Sequence, residues 1–237
     1  MNSLVKKLYY TEAMQQPLIA SSYMRFYRAV ADKGVDSSML TLHNALLCAY
    51  IHQFLSSNGG ALSMLEIGTY DGVNARILCE IFANLKIRTL DVNPLSPLLT
   101  DVYPDGQSLP TLKRHYYKRI HNCLHPNISY DERGSSSMIS CQNDFRHFNL
   151  FWVDGDHTLP QVAIDIVNCL SISRHNNKAV ILLDDVYLDL DDPTFSTVRN
   201  ICTSTNIYRC LWFQKRPSGL KGVMAVLRAS SPSIFSI

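Results

Sequence analysis

The stretch LEIGTYDG at residues 65–72 decides the fold, because it joins an apolar run to a glycine-containing turn and then to a helical pattern. The run 62–67 has the length of a buried strand, and residues 73–85 have helical periodicity. Further strand-like runs and one more helical pattern (158–173) follow: 87–92, 127–130, 148–153 and 179–183. Strands that alternate with helices predict a parallel sheet covered by helices on both faces.

The two ends of the chain extend this pattern differently. Residues 208–213 and 222–227 flank a turn at 216–219 and predict an antiparallel pair at the C-terminal edge of the sheet. Residues 1–58 show helical spacing and end before Gly59-Gly60. We therefore predict an α/β, Rossmann-like, doubly wound sheet of seven strands, mostly parallel, with an antiparallel C-terminal edge strand. A helical extension or lid (1–58) precedes the main domain (59–237).

Composition bounds the function. The chain has 237 residues, 46% hydrophobic and 18% charged, with a formal net charge of +2. It is apolar enough for one folded core, and its charge does not favour a nucleic-acid partner. Seven cysteines without a Cys-x-x-Cys pair are typical of reduced core thiols. The N-terminus lacks a signal-peptide pattern, and the longest apolar stretch (39–55) is too polar to span a bilayer. We expect a cytoplasmic protein and leave homo-oligomeric assembly open.

Candidate ligand-binding residues follow the first two predicted strands. Ligands of doubly wound sheets bind at the carboxyl ends of the strands, and Gly68 and Gly72 let the backbone approach a ligand there. Asp91 follows Glu66 by 25 residues and ends the second strand, where a carboxylate can hold a ribose. A nicotinamide fingerprint would need a second close glycine in the turn, where this chain has Thr69-Tyr70.

Acidic residues follow the fourth and fifth predicted strands. Asp154, Asp156 and His157 come after one apolar run, and Asp184-Asp185 follow the next. Carboxylates that converge on one sheet edge repel each other unless a cation offsets their charge. Mg²⁺, which prefers oxygen ligands, is the predicted cation. As an alternative, Asp156 or Thr158 caps the helix that begins at about 158.

These motifs resemble class I S-adenosylmethionine-dependent methyltransferases, and among them the metal-dependent O-methyltransferases that act on sugars of macrolide and aminocoumarin antibiotics. The resemblance covers residues 60–228 and rests on LEIGTYDG (65–72), Asp91, WVDGDH (152–157) and LLDD (182–185). It implies that the donor contacts a set of loop and strand-end residues: Glu66, Gly68, Thr69, Tyr70, Gly72, Asp91, Ser135, Ser136 and Asp154. It also implies that Asp154, Asp184 and Asp185 bind Mg²⁺, and that Asp156 or His157 is the general base.

The acceptor is the least specified part of this hypothesis. Catechol methyltransferases place a lysine shortly after the strand-four acid, and this chain has Asp156-His157-Thr158 there. We therefore expect a small-molecule or glycan hydroxyl rather than a phenol. Two alternatives stay open: metal-independent transfer to an amine, and a binding module that uses the basic and aromatic run 113–119. His43 and His52 are interpreted as packed or surface histidines.

Overall fold

The computed structural model describes residues 5–8, 14–32, 42–58, 60–95, 109–174, 176, 179–187, 191–205, 208–214 and 222–229. Its strands are β1 Val5–Leu8, β2 Leu62–Ile67, β3 Leu85–Leu90, β4 Ile128–Asp131, β5 Leu150–Val153, β6 Val180–Tyr187, β7 Tyr208–Gln214 and β8 Gly222–Ala229. Its helices are α1 Pro17–Asp32, α2 Leu42–Asn58, α3 Val73–Ile81, α4 Leu109–Asn122, α5 Ser137–Ser140, α6 Gln142–Phe145, α7 Gln161–Ser173 and α8 Pro193–Thr205.

One sheet organises these elements, in the strand order β1-β7-β8-β6-β5-β2-β3-β4. Its five contiguous strands from β6 to β4 run parallel, which confirms the α/β Rossmann-like prediction. The four residues of β5 are all buried, as expected for a central parallel strand with both faces covered. Because the sheet is parallel, β2, β3, β5 and β6 present their carboxyl ends along one edge.

Two details of the predicted sheet are wrong. The described residues form eight strands rather than seven, because β1 adds to the sheet alongside β7. The antiparallel strand is β8, and it lies between β6 and β7 rather than at the edge. The pairing of β7 with β8 was predicted correctly, but β7 and β1 extend the sheet beyond the antiparallel strand. The turn at 216–219 lies outside the described residues.

Helices cover both faces, and adjacent strand residues divide between two apolar clusters. Met64 and Trp152 pack with helices α1, α2 and α3, whereas Leu65 and Phe151 pack with α7 and α8. This division follows from the alternation of side chains along a strand. None of the seven cysteines forms a disulfide bond, and five of them are buried, as predicted for core thiols.

The N-terminal part of the chain is not entirely helical. Helices α1 and α2 occupy most of residues 17–58, and Ile19, Phe26 and Val30 on α1 are buried. Residues Val5–Leu8, which were predicted to belong to a helical segment, form strand β1. The division of the chain at residue 58 stays a prediction. Among the described helices, none has the length and apolar character needed to cross a membrane.

Candidate functional site

The turn between β2 and α3 has a backbone shape that few residues can adopt. Gly68 has φ +93°, Gly72 has φ +75°, and Tyr70 between them has φ +49°. Left-handed values are open to glycine but cost a residue such as tyrosine about 1–2 kcal/mol. The Gly72 amide closes the turn by donating to the Thr69 carbonyl at 2.8 Å. The loop of residues 68–72 therefore has a conformation that depends on its glycines, and it is called the donor loop below after its predicted role.

Gly68 brings the donor loop against the end of β5. A Cβ atom placed on Gly68 would overlap with the carbonyl oxygen of Asp154 and would lie 2.8 Å from the Gly155 amide nitrogen. The Asp154 amide in turn donates to the Ile67 carbonyl at 2.8 Å. The donor loop and the loop after β5 consequently pack backbone against backbone.

Glu66 lies beneath the donor loop with 2% of its surface exposed. Its carboxylate accepts hydrogen bonds from the Thr89 hydroxyl at 2.6 Å and from the Asn74 side-chain amide at 3.0 Å. Burial raises the pKa of Glu66 to about 7, although these two hydrogen bonds act in the opposite direction. Glu66 is therefore a carboxyl group that titrates near neutral pH.

The raised pKa of Glu66 makes a pH-dependent contribution to stability. The pKa of Glu66 is about 4.5 in the unfolded chain and about 7 in the folded protein. The contribution of Glu66 to the free energy of unfolding is therefore fully present below pH 4.5 and is lost as the pH rises to 7. Relative to Glu66→Gln, the wild-type free energy of unfolding should fall by on the order of 3 kcal/mol over this range. Urea unfolding of both proteins between pH 4.5 and 8 measures the difference. A difference that does not change with pH would contradict the prediction.

Asp91 joins the donor loop to the end of β3. Its Oδ2 accepts the amides of Thr69 and Tyr70, both at 3.0 Å, and lies 2.8 Å from Nη2 of Arg119. Burial raises the pKa of Asp91, while Arg119 and the backbone amides oppose this shift. Asp91, the residue predicted to bind a ribose, thus lies beside the donor loop. Its contact with a ribose stays a prediction.

Acidic and histidine side chains meet where the loop after β5 lies beside a bulge in β6. One potential ligand atom from each of Asp154, His157 and Asp185 lies within 4.8 Å of the others. His157 Nε2 is 3.7 Å from Asp154 Oδ1. Asp185 has φ +44° at a β-bulge in β6, between Leu183 and Val186. A bulge redirects side chains, and here it leaves Asp185 exposed next to a buried neighbour.

That neighbour, Asp184, is not one of the three clustered residues, although it belonged to the predicted Mg²⁺ set. Its side chain is 4% exposed, and its Oδ2 lies 3.3 Å from Nδ1 of His43. His43 comes from the first turn of α2, and its ring lies 5.4 Å from that of Trp152. His43 is packed, in agreement with its interpretation as a packed or surface histidine, but its contact with Asp184 was not predicted.

The charges in this cluster affect one another. Burial and the neighbouring charge of Asp184 raise the pKa of Asp154, and the nearby imidazole of His157 opposes them. Burial would lower the pKa of His157, but Asp154 and the nearby Asp185 and Asp184 carboxylates outweigh it, and the pKa is raised. Asp154 and Asp184 are thus neighbouring carboxyl groups whose mutual repulsion a bound cation would reduce.

The two candidate bases lie side by side on the loop after β5. Asp156 is exposed, and its Oδ1 accepts hydrogen bonds from the Thr158 amide at 2.8 Å and hydroxyl at 2.7 Å. Helix α7 begins at Gln161 with Pro160 as its N-cap residue, so neither Asp156 nor Thr158 caps it. The alternative capping role is wrong, because the helix starts three residues later than predicted.

Comparison with known families identifies the family of the chain. Residues 65–186, just over half of the chain, match the model of the family described as "Methyltransferase domain". The chain belongs to this family. This methyltransferase uses S-adenosylmethionine, and the matched residues include the donor loop, Asp91 and the acidic cluster.

Solved structures share the fold of this methyltransferase. A Klebsiella pneumoniae protein assigned as an O-methyltransferase is 14% identical and has a TM-score of 0.53, with 91% of each chain covered. A Staphylococcus aureus protein assigned as a caffeoyl-CoA O-methyltransferase is 12% identical and has a TM-score of 0.50, with 76% of this chain and 81% of that chain covered. Comparison with curated protein sequences finds no match.

The predicted adenine contacts of the methyltransferase have different surroundings. Ser135 is buried, its hydroxyl donates to Asp165 Oδ1, and the Gln161 amide donates to the same serine oxygen at 2.9 Å. Ser136 is exposed and donates to the Arg133 carbonyl at 3.4 Å. Ser135 is therefore tied to helix α7, and the adenine contact of either serine stays a prediction.

Proposed function

We propose that the chain transfers the methyl group of S-adenosylmethionine to a hydroxyl of a small molecule or sugar, in the cytoplasm, with the help of Mg²⁺ or a similar divalent cation. The observation that carries this proposal is the position of the cluster Asp154, His157 and Asp185, which adjoins the donor loop through the contact of Gly68 with Asp154. Two structural neighbours assigned as O-methyltransferases support the reaction type.

The clustered residues fit a divalent cation. Two carboxylates and an imidazole are common ligands of such ions. Nδ1 of His157 is buried and has no hydrogen-bond partner among the described residues. The two carboxylates suit Mg²⁺ or Mn²⁺, whereas the imidazole favours a transition metal, so Mn²⁺ fits the mixed donor set better than Mg²⁺.

The protein residues would orient the acceptor and remove its proton. A bound divalent cation would supply polarisation of the acceptor hydroxyl and lower its pKa. Asp154, His157 and Asp185 would hold the cation, and the exposed carboxylate of Asp156 would accept the hydroxyl proton. The donor loop would hold the donor beside Asp154, so that the deprotonated oxygen attacks the sulfonium methyl in line. His157 is the alternative base if the cation does not engage it.

Calorimetric titration of S-adenosylmethionine into the purified protein, with and without Mg²⁺ or Mn²⁺, tests the site first. Methyl transfer to a panel of sugars, small alcohols and amines then tests the reaction. We expect donor binding, metal-stimulated methylation of hydroxyl compounds and loss of activity with excess chelator. Activity on amines that survives the chelator would replace this proposal with metal-independent transfer.

A further inference from the structure

One face of helix α4 lies on the donor loop. His115, Lys118, Arg119 and Asn122 share this face because their spacing of three, four and seven residues matches the helix period. The His115 ring is 4.8 Å from the Tyr70 ring, and Lys118 Nζ is 2.7 Å from Asp71 Oδ2. The Asn122 amide donates to the Asp71 carbonyl at 2.8 Å. Three of the four contacting residues, all except Asn122, belong to the basic and aromatic run 113–119.

Arg119 is the buried member of this face, with 3% of its surface exposed. Its Nε donates to the Tyr70 carbonyl at 2.5 Å, and its Nη1 donates to the Val92 carbonyl and the Tyr130 hydroxyl, both at 2.9 Å. Its Nη2 forms the ion pair with Asp91 Oδ2 at 2.8 Å. One planar guanidinium therefore contacts the donor loop, the residues that follow β3, and Tyr130 on β4. A lysine, with a single ammonium group, could not make all of these contacts.

These contacts hold Tyr70 from both sides. Its amide donates to Asp91, and its carbonyl accepts from Arg119, which is itself paired with Asp91. Together they stabilise the left-handed conformation that the donor loop needs at this residue. They also fix the Asp91 carboxylate in one orientation, because its Oδ2 receives three donors.

We propose that Arg119 is a positioning residue for the methyl donor: it acts through Asp91 and Tyr70 to fix the ribose-binding carboxylate and the donor loop before the donor arrives. The charge of Arg119 also keeps Asp91 an acceptor, since a buried carboxylate without its cation tends to take up a proton. The inference concerns the donor site alone and does not depend on the acceptor or on a metal.

The test measures the affinity for S-adenosylhomocysteine by calorimetry in the wild type, Arg119→Met, Asp91→Asn and the double variant. Arg119→Met keeps most of the side-chain stem and removes the charge. We expect it to weaken binding about tenfold to a hundredfold, the range for a lost charged hydrogen bond. The loss in the double variant should be smaller than the product of the two single losses, because part of the effect of Arg119 passes through the Asp91 carboxylate.

Arg88→Met is the matched control. Arg88 forms an ion pair of the same 2.8 Å length with Asp131 on the neighbouring strand, outside the donor loop. The affinity of the Arg88→Met variant for S-adenosylhomocysteine should stay within about threefold of the wild-type affinity. If Arg119→Met does not fold, Arg119→Lys takes its place in the cycle with an expected loss of about threefold to tenfold, since it keeps the charge without the planar fork.

Three results would overturn the inference. Arg119→Met could bind within threefold of the wild type, Arg88→Met could lose as much affinity, or the losses of Arg119→Met and Asp91→Asn could multiply in the double variant. Each leaves methyl transfer by this chain standing. Failure of the wild type to bind S-adenosylhomocysteine at all would overturn the donor site itself, and is thereby distinguishable.

Discussion

Gly68→Ala is expected to abolish S-adenosylmethionine binding and to lower the free energy of unfolding by about 3 kcal/mol or more. The added methyl would overlap with the Asp154 carbonyl, which is backbone and can move only with the loop after β5. Overpacking of this kind costs about 1–3 kcal/mol, and the left-handed φ of +93° adds about 1–2 kcal/mol for alanine. Urea unfolding and donor titration measure the two effects.

Gly155→Ala is the control for this prediction. A Cβ atom at Gly155 would lie 3.4 Å from the Ile67 Cγ2 atom, an ordinary van der Waals distance. Its effect on unfolding should stay below about 1 kcal/mol, within the usual range for a substitution that creates no clash. Equal destabilisation by both alanines would show that the close backbone approach at Gly68 is not what makes that position special.

Asp154→Asn is expected to have opposite effects on function and stability. Loss of a carboxylate ligand should weaken Mn²⁺ or Mg²⁺ binding at least a hundredfold, and metal-dependent methyl transfer should disappear with it. Without metal, the variant should nevertheless be at least as stable as the wild type, because the substitution removes both the burial of the Asp154 charge and its repulsion with Asp184, which raise the pKa of Asp154. This gain should grow as pH rises through the range in which carboxyl groups ionise.

Metal titration and apo thermal unfolding at several pH values check this pair of effects. Asp144→Asn, an exposed acid on α6 outside the cluster, should change neither measurement appreciably. A lower unfolding temperature of metal-free Asp154→Asn would mean that the Asp154 carboxylate stabilises the fold. Unchanged metal affinity would remove Asp154 from the proposed cation site.

The sequence was most informative where the structure is local. Apolar runs of strand length predicted the five parallel strands, because such runs must be buried on both faces. The glycines of the donor loop and the acids after β5 were also visible, because residues at strand ends gather along one edge of a parallel sheet. Asp184 and Asp185, which were predicted to follow a strand, lie within β6.

The missed features depend on contacts between distant parts of the chain. His43 and Asp184 are separated by most of the domain, and no local spacing indicates that they meet. The bulge in β6, which leaves Asp184 buried and Asp185 exposed, contains no glycine or proline that would indicate a bulge in the sequence. Arg119 lies in the basic and aromatic run 113–119, which one alternative assigned to a binding surface, but its helix face contacts a loop about 50 positions earlier in the chain.

Strand β1 has a consequence for the order in which the chain folds. Val5 pairs with Cys210 and Leu8 with Phe213, so almost the entire polypeptide separates the partners. During synthesis at about 5–20 residues per second, the earliest strand made would wait roughly ten to forty seconds for its neighbour. Contacts of such high sequence separation slow folding, because loop closure must precede them. Strand β1 is therefore among the last elements of the sheet to be placed.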